Sequence, residues 1–293
     1  LHKLADLTEL PREPQGGLPL YNDDDPPPSI SFDLKKLSFT YPDGGVPVFS
    51  NLSLGIPKES RVALVGPALA GKSTLLQLLA GNVQAQHGSL TINGHSINDV
   101  SKIKLRQCMA YLGSEPLLVE GSIKENLLMG LALDTAQQRE RFNEILHATG
   151  LMEALARFPN GLQTPLVANG TNLPKSLRQL IVLTRTLLDV PSCLLLDEAF
   201  NDMDHVMKER AIRALYQYTP HTTVVCVTRH LGLISLCDYV YVFDAGELVT
   251  QGTPEGLWQQ QHPYLQGLQG KGLQQYSHLK QPLPTSNDGG LSL

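Results

Sequence analysis

Arg61-Val-Ala-Leu-Val-Gly66-Pro-Ala-Leu-Ala-Gly71-Lys72-Ser73-Thr74, continued by Leu75-Leu-Gln-Leu-Leu79, sets a short apolar run ahead of a glycine-flanked loop and a helical pattern. Val62 to Val65 predicts a buried strand, and the apolar spacing after Ser73 predicts a helix. Between them Gly66 to Ser73 fits G-x-x-x-x-G-K-[ST], the phosphate-binding P-loop. In that setting the N–H groups of the loop and of the first helical turn converge on an anion, and the helix dipole adds positive potential. Lys72 is expected to reach β- and γ-phosphates, and Ser73 to hold Mg²⁺. The candidate ATP-binding residues here are Gly66, Pro67, Ala68, Leu69, Ala70, Gly71, Lys72, Ser73 and Thr74. A ligand-free strand-to-helix turn is the plainer alternative, and the correct flank on each side argues against it.

About 125 residues further on, Leu194-Leu-Leu-Asp197-Glu198 is an apolar strand that ends in two carboxylates. Such a strand puts Asp197 at the carboxyl edge of a parallel sheet, where α/β folds bind ligands. There Asp197 is expected to help fix Mg²⁺, with Glu198 as the catalytic residue that orients or deprotonates an attacking water. Buried, unpaired carboxylates are costly, so a purely structural role for the pair is disfavoured.

Around these motifs the chain reads as α/β. Ile30 to Tyr41 and Val46 to Ile56 predict strands joined at Asp43-Gly44-Gly45, and Gly88 to Gly94 predicts another ending in an Asn-Gly turn. About 120–158 is helix-rich, with Thr135 as an N-cap, and 177–188 and 207–218 predict further helices. Thr222 to Thr228 reads as a buried strand, and 238–252 as a hairpin turning at Ala245-Gly246. Thr253-Pro254-Glu255 opens a last short helix. Strands alternating with helices predict a P-loop NTPase, RecA-like core, with an antiparallel β subdomain and an inserted helical subdomain at about 115–180. Residues 1–29 read as a linker from a preceding domain, with Leu1 to Leu10 as the last turns of a helix and order beginning at Ile30. The ATP-binding domain spans 30–270, and 271–293, rich in Gly, Gln, Ser and Pro, reads as an unstructured tail.

Composition bounds the rest. The 293 residues are 42% apolar and 17% charged with net charge −5, as in a water-exposed globular protein. There is no basic stripe and hence no nucleic-acid footprint. No run of about 18 apolar residues marks a membrane span. Cys108, Cys193, Cys226 and Cys237 are scattered and read as reduced core thiols.

Taken together, these motifs resemble the nucleotide-binding domain of an ABC transporter, of the exporter type found in peptide and type I secretion half-transporters. The resemblance runs from about Ile30 to Gly270. It places Tyr41, in Phe39-Thr-Tyr-Pro, where the family stacks an aromatic ring on adenine, worth about 1–3 kcal/mol by analogy with base stacking. Glu115-Pro-Leu-Leu-Val-Glu-Gly-Ser-Ile-Lys-Glu-Asn126 matches the exporters' segment after the Q-loop, and Val249-Thr-Gln-Gly252-Thr-Pro-Glu-Gly-Leu matches the closing hairpin and helix. The resemblance implies ATP and Mg²⁺ as cofactors, and a transmembrane domain as a partner at the cytoplasmic face of the cell (inner) membrane. It also implies a homo- or heterodimer in which each ATP lies between one P-loop and the other chain's signature.

Several positions depart from that pattern. Ser114 stands where the Q-loop glutamine belongs. The signature reads Leu173-Pro174-Lys175-Ser176-Leu177, in which Pro174 has no N–H to give and Leu177 no polar group. Arg229-His230 reverses the family's order at the switch histidine, and Ala168 replaces an acid. Ala68-Leu69-Ala70 replaces serine–glycine–serine, at a cost of about 1–2 kcal/mol if Leu69 must be left-handed. The residues that bind nucleotide are therefore better kept than those that read the γ-phosphate. Two functions follow: an ATPase that drives export with slow turnover, or an ATP-holding module with little hydrolysis. A GTPase is disfavoured by the lack of an N-K-x-D motif.

Overall fold

The computed structural model describes residues 16–22, 26–42, 44–268 and 272–281. The chain runs through β1 (Phe32–Phe39), β2 (Phe49–Ile56), β3 (Arg61–Val65), α1 (Lys72–Leu79), β4 (His87–Ile92) and β5 (His95–Ser96). It continues with α2 (Lys102–Cys108), β6 (Met109–Leu112), β7 (Gly121–Ser122), α3 (Ile123–Leu128), α4 (Ala136–Thr149), α5 (Leu151–Leu155) and β8 (Pro165–Leu166). Next come α6 (Lys175–Leu188), β9 (Cys193–Asp197), α7 (His205–Tyr218), β10 (Thr223–Val227) and α8 (Leu231–Ile234). The hairpin β11 (Tyr239–Asp244) and β12 (Glu247–Gly252), then α9 (Pro254–Gln259) and α10 (Pro263–Gln266), lead to a 3₁₀ helix at Leu273–Lys280.

Six strands form the central sheet in the order β12-β11-β3-β10-β9-β6, parallel except for the β11–β12 hairpin. The inner strands β3, β9, β10 and β11 are apolar at nearly every position because both faces are covered, whereas the edge strand β12 is polar and exposed; the two-residue period divides the inner side chains between two cores. Val62, Leu64, Leu195, Val225, Val227 and Phe243 face a core shared with α1 and an antiparallel sheet of order β2-β1-β4-β5. Ala63, Val65, Leu194, Leu196, Val224 and Val242 face the other core, built with α4, α6 and α7. Each such Val or Leu contributes about 1.5–3 kcal/mol by burial. All four cysteines are free and buried, as expected.

Local chemistry sets the helix starts. Thr135 caps α4 in a reciprocal box with Gln138, and Ser122 does the same for α3 with Glu125. The Thr253 side chain accepts from the Gly256 N–H to open α9, with Pro254 at the first helical position.

Two expectations about the ends do not hold. Pairing begins before Ile30, because the Leu18 N–H donates to Asp99 O at 2.6 Å and Leu18 O accepts from Ser101 N at 2.9 Å. Residues 273–280, placed in an unstructured tail, form the final helix, which buries Leu273, Tyr276 and Leu279 against α7, α8 and α9. The helix expected over Leu1 to Leu10 lies outside the described residues.

Candidate functional site

The loop after β3 is shaped by backbone that most side chains resist. Gly66 has φ 147°, and a Cβ there would collide with the carbonyl of Phe243 on β11. Gly71 has φ 89°, and its Cβ would meet the Phe49 ring at 2.7 Å. Between them Leu69 is left-handed at φ 64° and fully exposed, so the strain foreseen for this residue is present without any packing to offset it. Lys72 Nζ donates to Gly66 O at 3.0 Å and to Pro67 O at 2.5 Å, folded back over the loop. Burial, and secondarily the Arg229 cation, lower the Lys72 pKa, with Glu198 and Asp197 opposing.

Asp197 ends β9 beside this loop. Its Oδ1 accepts from Ser73 Oγ at 2.9 Å, and its Oδ2 accepts from Tyr111 Oη at 2.8 Å. Burial, then the bond to Asp197, push the Tyr111 phenol well above the usual range, so it remains a neutral donor. Glu198 is left-handed at φ 54°; its N–H donates to Val227 O at 3.1 Å and its Oε2 accepts from Asn201 Nδ2 at 2.8 Å. A strained backbone of this kind persists only where its surroundings fix it. Tyr41 lies at the rim with its hydroxyl 3.1 Å from Thr74 Oγ1 and its ring edge-on to Phe39. Tyr41, Ala68 to Thr74, Ser114, Asp197, Glu198 and Arg229 line one open cavity of about 540 Å³. Gly66 and Pro67 lie behind it, supplying the carbonyls that hold Lys72.

A P-loop, an apolar strand ending in paired carboxylates and the cavity between them occupy the carboxyl edge of a parallel sheet. Residues 49–201, more than half the chain, match the family described as ABC transporter. The chain belongs to the ABC transporter family. It is 34% identical over 231 residues to mouse ATP-binding cassette sub-family B member 10, mitochondrial, covering 78% of this chain and 32% of that one. It is 32% identical over 208 residues to the pediocin PA-1 transport/processing ATP-binding protein of Pediococcus acidilactici, covering 70% and 28%. A solved bacterial Atm1-family ABC exporter with ATP bound superimposes with TM-score 0.73 at 26% identity, covering 81% of this chain and 41% of that chain. The chain thus spans less than half the length of these relatives. It is an ATP-binding domain of the exporter-like ABC ATPases, with their P-loop NTPase fold. Among the described residues no helix is long and apolar enough to cross a membrane.

Of the positions that depart from the ABC pattern, Ala68, Leu69, Ala70, Ser114 and Arg229 line the cavity. Pro174 to Leu177 lie apart from it, at the start of α6, where Leu173 and Leu177 are buried in the helical core. Lys175 is held within the chain by Glu115 at 2.6 Å and Asp202 at 3.4 Å, while Gln179 Nε2 donates to Asp202 Oδ2 at 2.8 Å. Ser176 follows on the half-buried first turn. His230 turns away from the cavity: its ring is 5.6 Å from that of Tyr276 and its buried Nδ1 has no hydrogen-bond partner. Burial, then the nearby Lys208 and His205, lower its pKa to about 4, with Glu209 opposing.

Sequence reasoning passed over two residues that shape the site. Tyr264 on α10 donates through its hydroxyl to Gly66 O at 2.7 Å, a contact across nearly 200 residues with no local signal. Tyr111 did carry a signal. It sits near the carboxyl end of a strand paired in parallel with the one that delivers Asp197, with Leu112 opposite Leu196.

Proposed function

We propose that this chain binds ATP with Mg²⁺ in the 540 Å³ cavity and hydrolyses it to drive export through a membrane-spanning partner domain. The observation that carries the reading is the convergence of Lys72, Ser73 and Asp197 at the mouth of the strained loop. Gly71, Lys72, Ser73 and Thr74 open α1 with N–H groups free of the helix ladder, which suits polyphosphate oxygens. Lys72 would exchange two carbonyl partners for the β- and γ-phosphates. Two hard oxygens, Ser73 Oγ and Asp197 Oδ1, lie 2.9 Å apart, the donor type Mg²⁺ takes alongside phosphate and water. Ser73 and Asp197 would hold the ion, whose charge would offset that of the phosphates. Glu198, fixed by Asn201, would receive the proton of the attacking water. Tyr41 must turn from Thr74 for its ring to cover the adenine.

The domain would work as a homo- or heterodimer at the cytoplasmic face of the membrane, each nucleotide closed by the other chain's α6 start. Ser114 is too short to reach an ion, Arg229 sets a permanent cation in the histidine's place, and Lys175 is engaged within its own chain. These features support slow turnover of the same reaction. Binding of a fluorescent ATP analogue to wild type and Lys72→Ala tests the site: loss of binding is expected, and unchanged affinity would overturn the assignment. For Glu198→Gln the expected result is trapped, unhydrolysed ATP and a stable dimer; phosphate release equal to wild type would remove Glu198 as the base.

A further inference from the structure

We infer that Tyr111 is a positioning residue: its hydroxyl locks the Asp197 carboxylate in the orientation that receives the divalent cation, a task to which Ser114 contributes nothing. The inference rests on the Mg²⁺–ATP reading above and adds a residue to it. Four side chains form a hydrogen-bonded chain whose direction is set at each step. Asn82 Nδ2 donates to Gln77 Oε1 at 2.8 Å. An ionised Asp197 can only accept, so the Tyr111 hydroxyl donates to it and itself accepts from Gln77 Nε2 at 2.8 Å. The phenol proton is thereby directed to Asp197 Oδ2, also at 2.8 Å. Ser73 meets the other oxygen, Oδ1.

The geometry ties three elements together. Ser73 and Gln77 are four residues apart on α1 and so lie on one helix face. Tyr111 comes from β6, the edge strand hydrogen-bonded alongside β9. One helix therefore addresses both carboxylate oxygens of Asp197, directly through Ser73 and through Tyr111 by way of Gln77. The two donors differ in what an ion asks of them. Ser73 would give it a lone pair, whereas the Tyr111 hydroxyl stands on the far oxygen and keeps its bond. A neutral phenol also leaves the full negative charge on Asp197, which a Lys or Arg in its place would cancel. Partners that orient a metal ligand in this way are commonly worth 10- to 100-fold in metal affinity.

Tyr111→Phe keeps the ring and removes the hydroxyl. Binding of a fluorescent non-hydrolysable ATP analogue, followed by anisotropy while Mg²⁺ is titrated, reads the effect without catalysis. The expected result is an unchanged Mg²⁺-free affinity, with the Mg²⁺ concentration for half-maximal enhancement raised about tenfold or more. A wild-type Mg²⁺ midpoint in Tyr111→Phe would overturn the inference while leaving the ATP site intact. Parallel losses of Mg²⁺-free affinity and of folding stability would overturn it in favour of a structural role. A wild-type chain whose analogue binding ignores Mg²⁺ would overturn the Mg²⁺–ATP reading, and this inference with it.

Discussion

Arg229 and His230 are neighbours in the chain yet leave β10 in opposite directions. Arg229 opens into the cavity beside Lys72 and Glu198, whereas His230 is half-buried against Tyr276 on the carboxy-terminal 3₁₀ helix. The reversed order therefore places a permanent cation in the cavity proposed for the nucleotide and turns the titratable ring into a packing element.

Restoring the usual groups should speed turnover. In Arg229→His combined with Ser114→Gln, the new imidazole follows the path of Arg229 into the cavity and the new amide extends beyond the serine. Phosphate release per domain is expected to rise about tenfold or more, within the range that one positioned acid–base group supplies. No gain would move the cause of slow turnover elsewhere, to the start of α6 first of all.

His230 should make stability depend on acid. Folded, it is held down to about 4; unfolded, a histidine returns to its ordinary value of 6.5. The unfolded chain then takes the proton first, so the contribution is full above pH 6.5 and is lost as pH falls towards 4. Urea unfolding midpoints across that window should fall more steeply in wild type than in His230→Phe, which keeps a ring beside Tyr276. Parallel curves would contradict the burial.

The last helix should contribute measurably to stability. Tyr276 is only 7% exposed and Leu279 is fully buried, so Tyr276→Ala removes core surface. Unfolding free energy is expected to drop by about 2–3 kcal/mol, below the loss at a rigid core site because a terminal helix can undock. A change under about 0.5 kcal/mol would show that the segment only rests on the surface.

Leu69→Gly should stabilise. The left-handed backbone costs a leucine about 1–2 kcal/mol, while glycine loses about 0.5–1 kcal/mol more entropy on folding. Full exposure means that no packing is lost, so a gain of about 0.5–1 kcal/mol in unfolding free energy is the expected outcome. Destabilisation would mean that the side chain has a role in the folded chain that its exposure conceals.

Much of the architecture was legible because its signals are local. The run Val62 to Val65, the loop glycines and the capped helix starts specify their own conformations, and the Ala245-Gly246 turn is left-handed at both residues, as a tight hairpin requires. Contacts such as Tyr264 with Gly66 were not legible, because nothing near either residue encodes the other. The last helix is an intermediate case. Its glutamines suggested a solvated tail, yet Leu273, Tyr276 and Leu279 recur every third residue, the period of the 3₁₀ form they adopt. A search confined to periods of 2 and 3.6 misses that spacing.

The way β3 is flanked has a consequence for biosynthesis. Val62 lies between Val225 and Tyr239, and Gly66 takes its shape against Phe243, so both walls of the strand that leads into the phosphate loop are made more than 160 residues after Val62. A ribosome-bound chain that has emerged only as far as α7 holds the whole P-loop motif but neither wall. Closing so long a connection is entropically slow. Nucleotide should therefore be captured late, after β11 has docked, and ATP added to stalled nascent chains should protect those that include Phe243 from protease and leave shorter ones exposed.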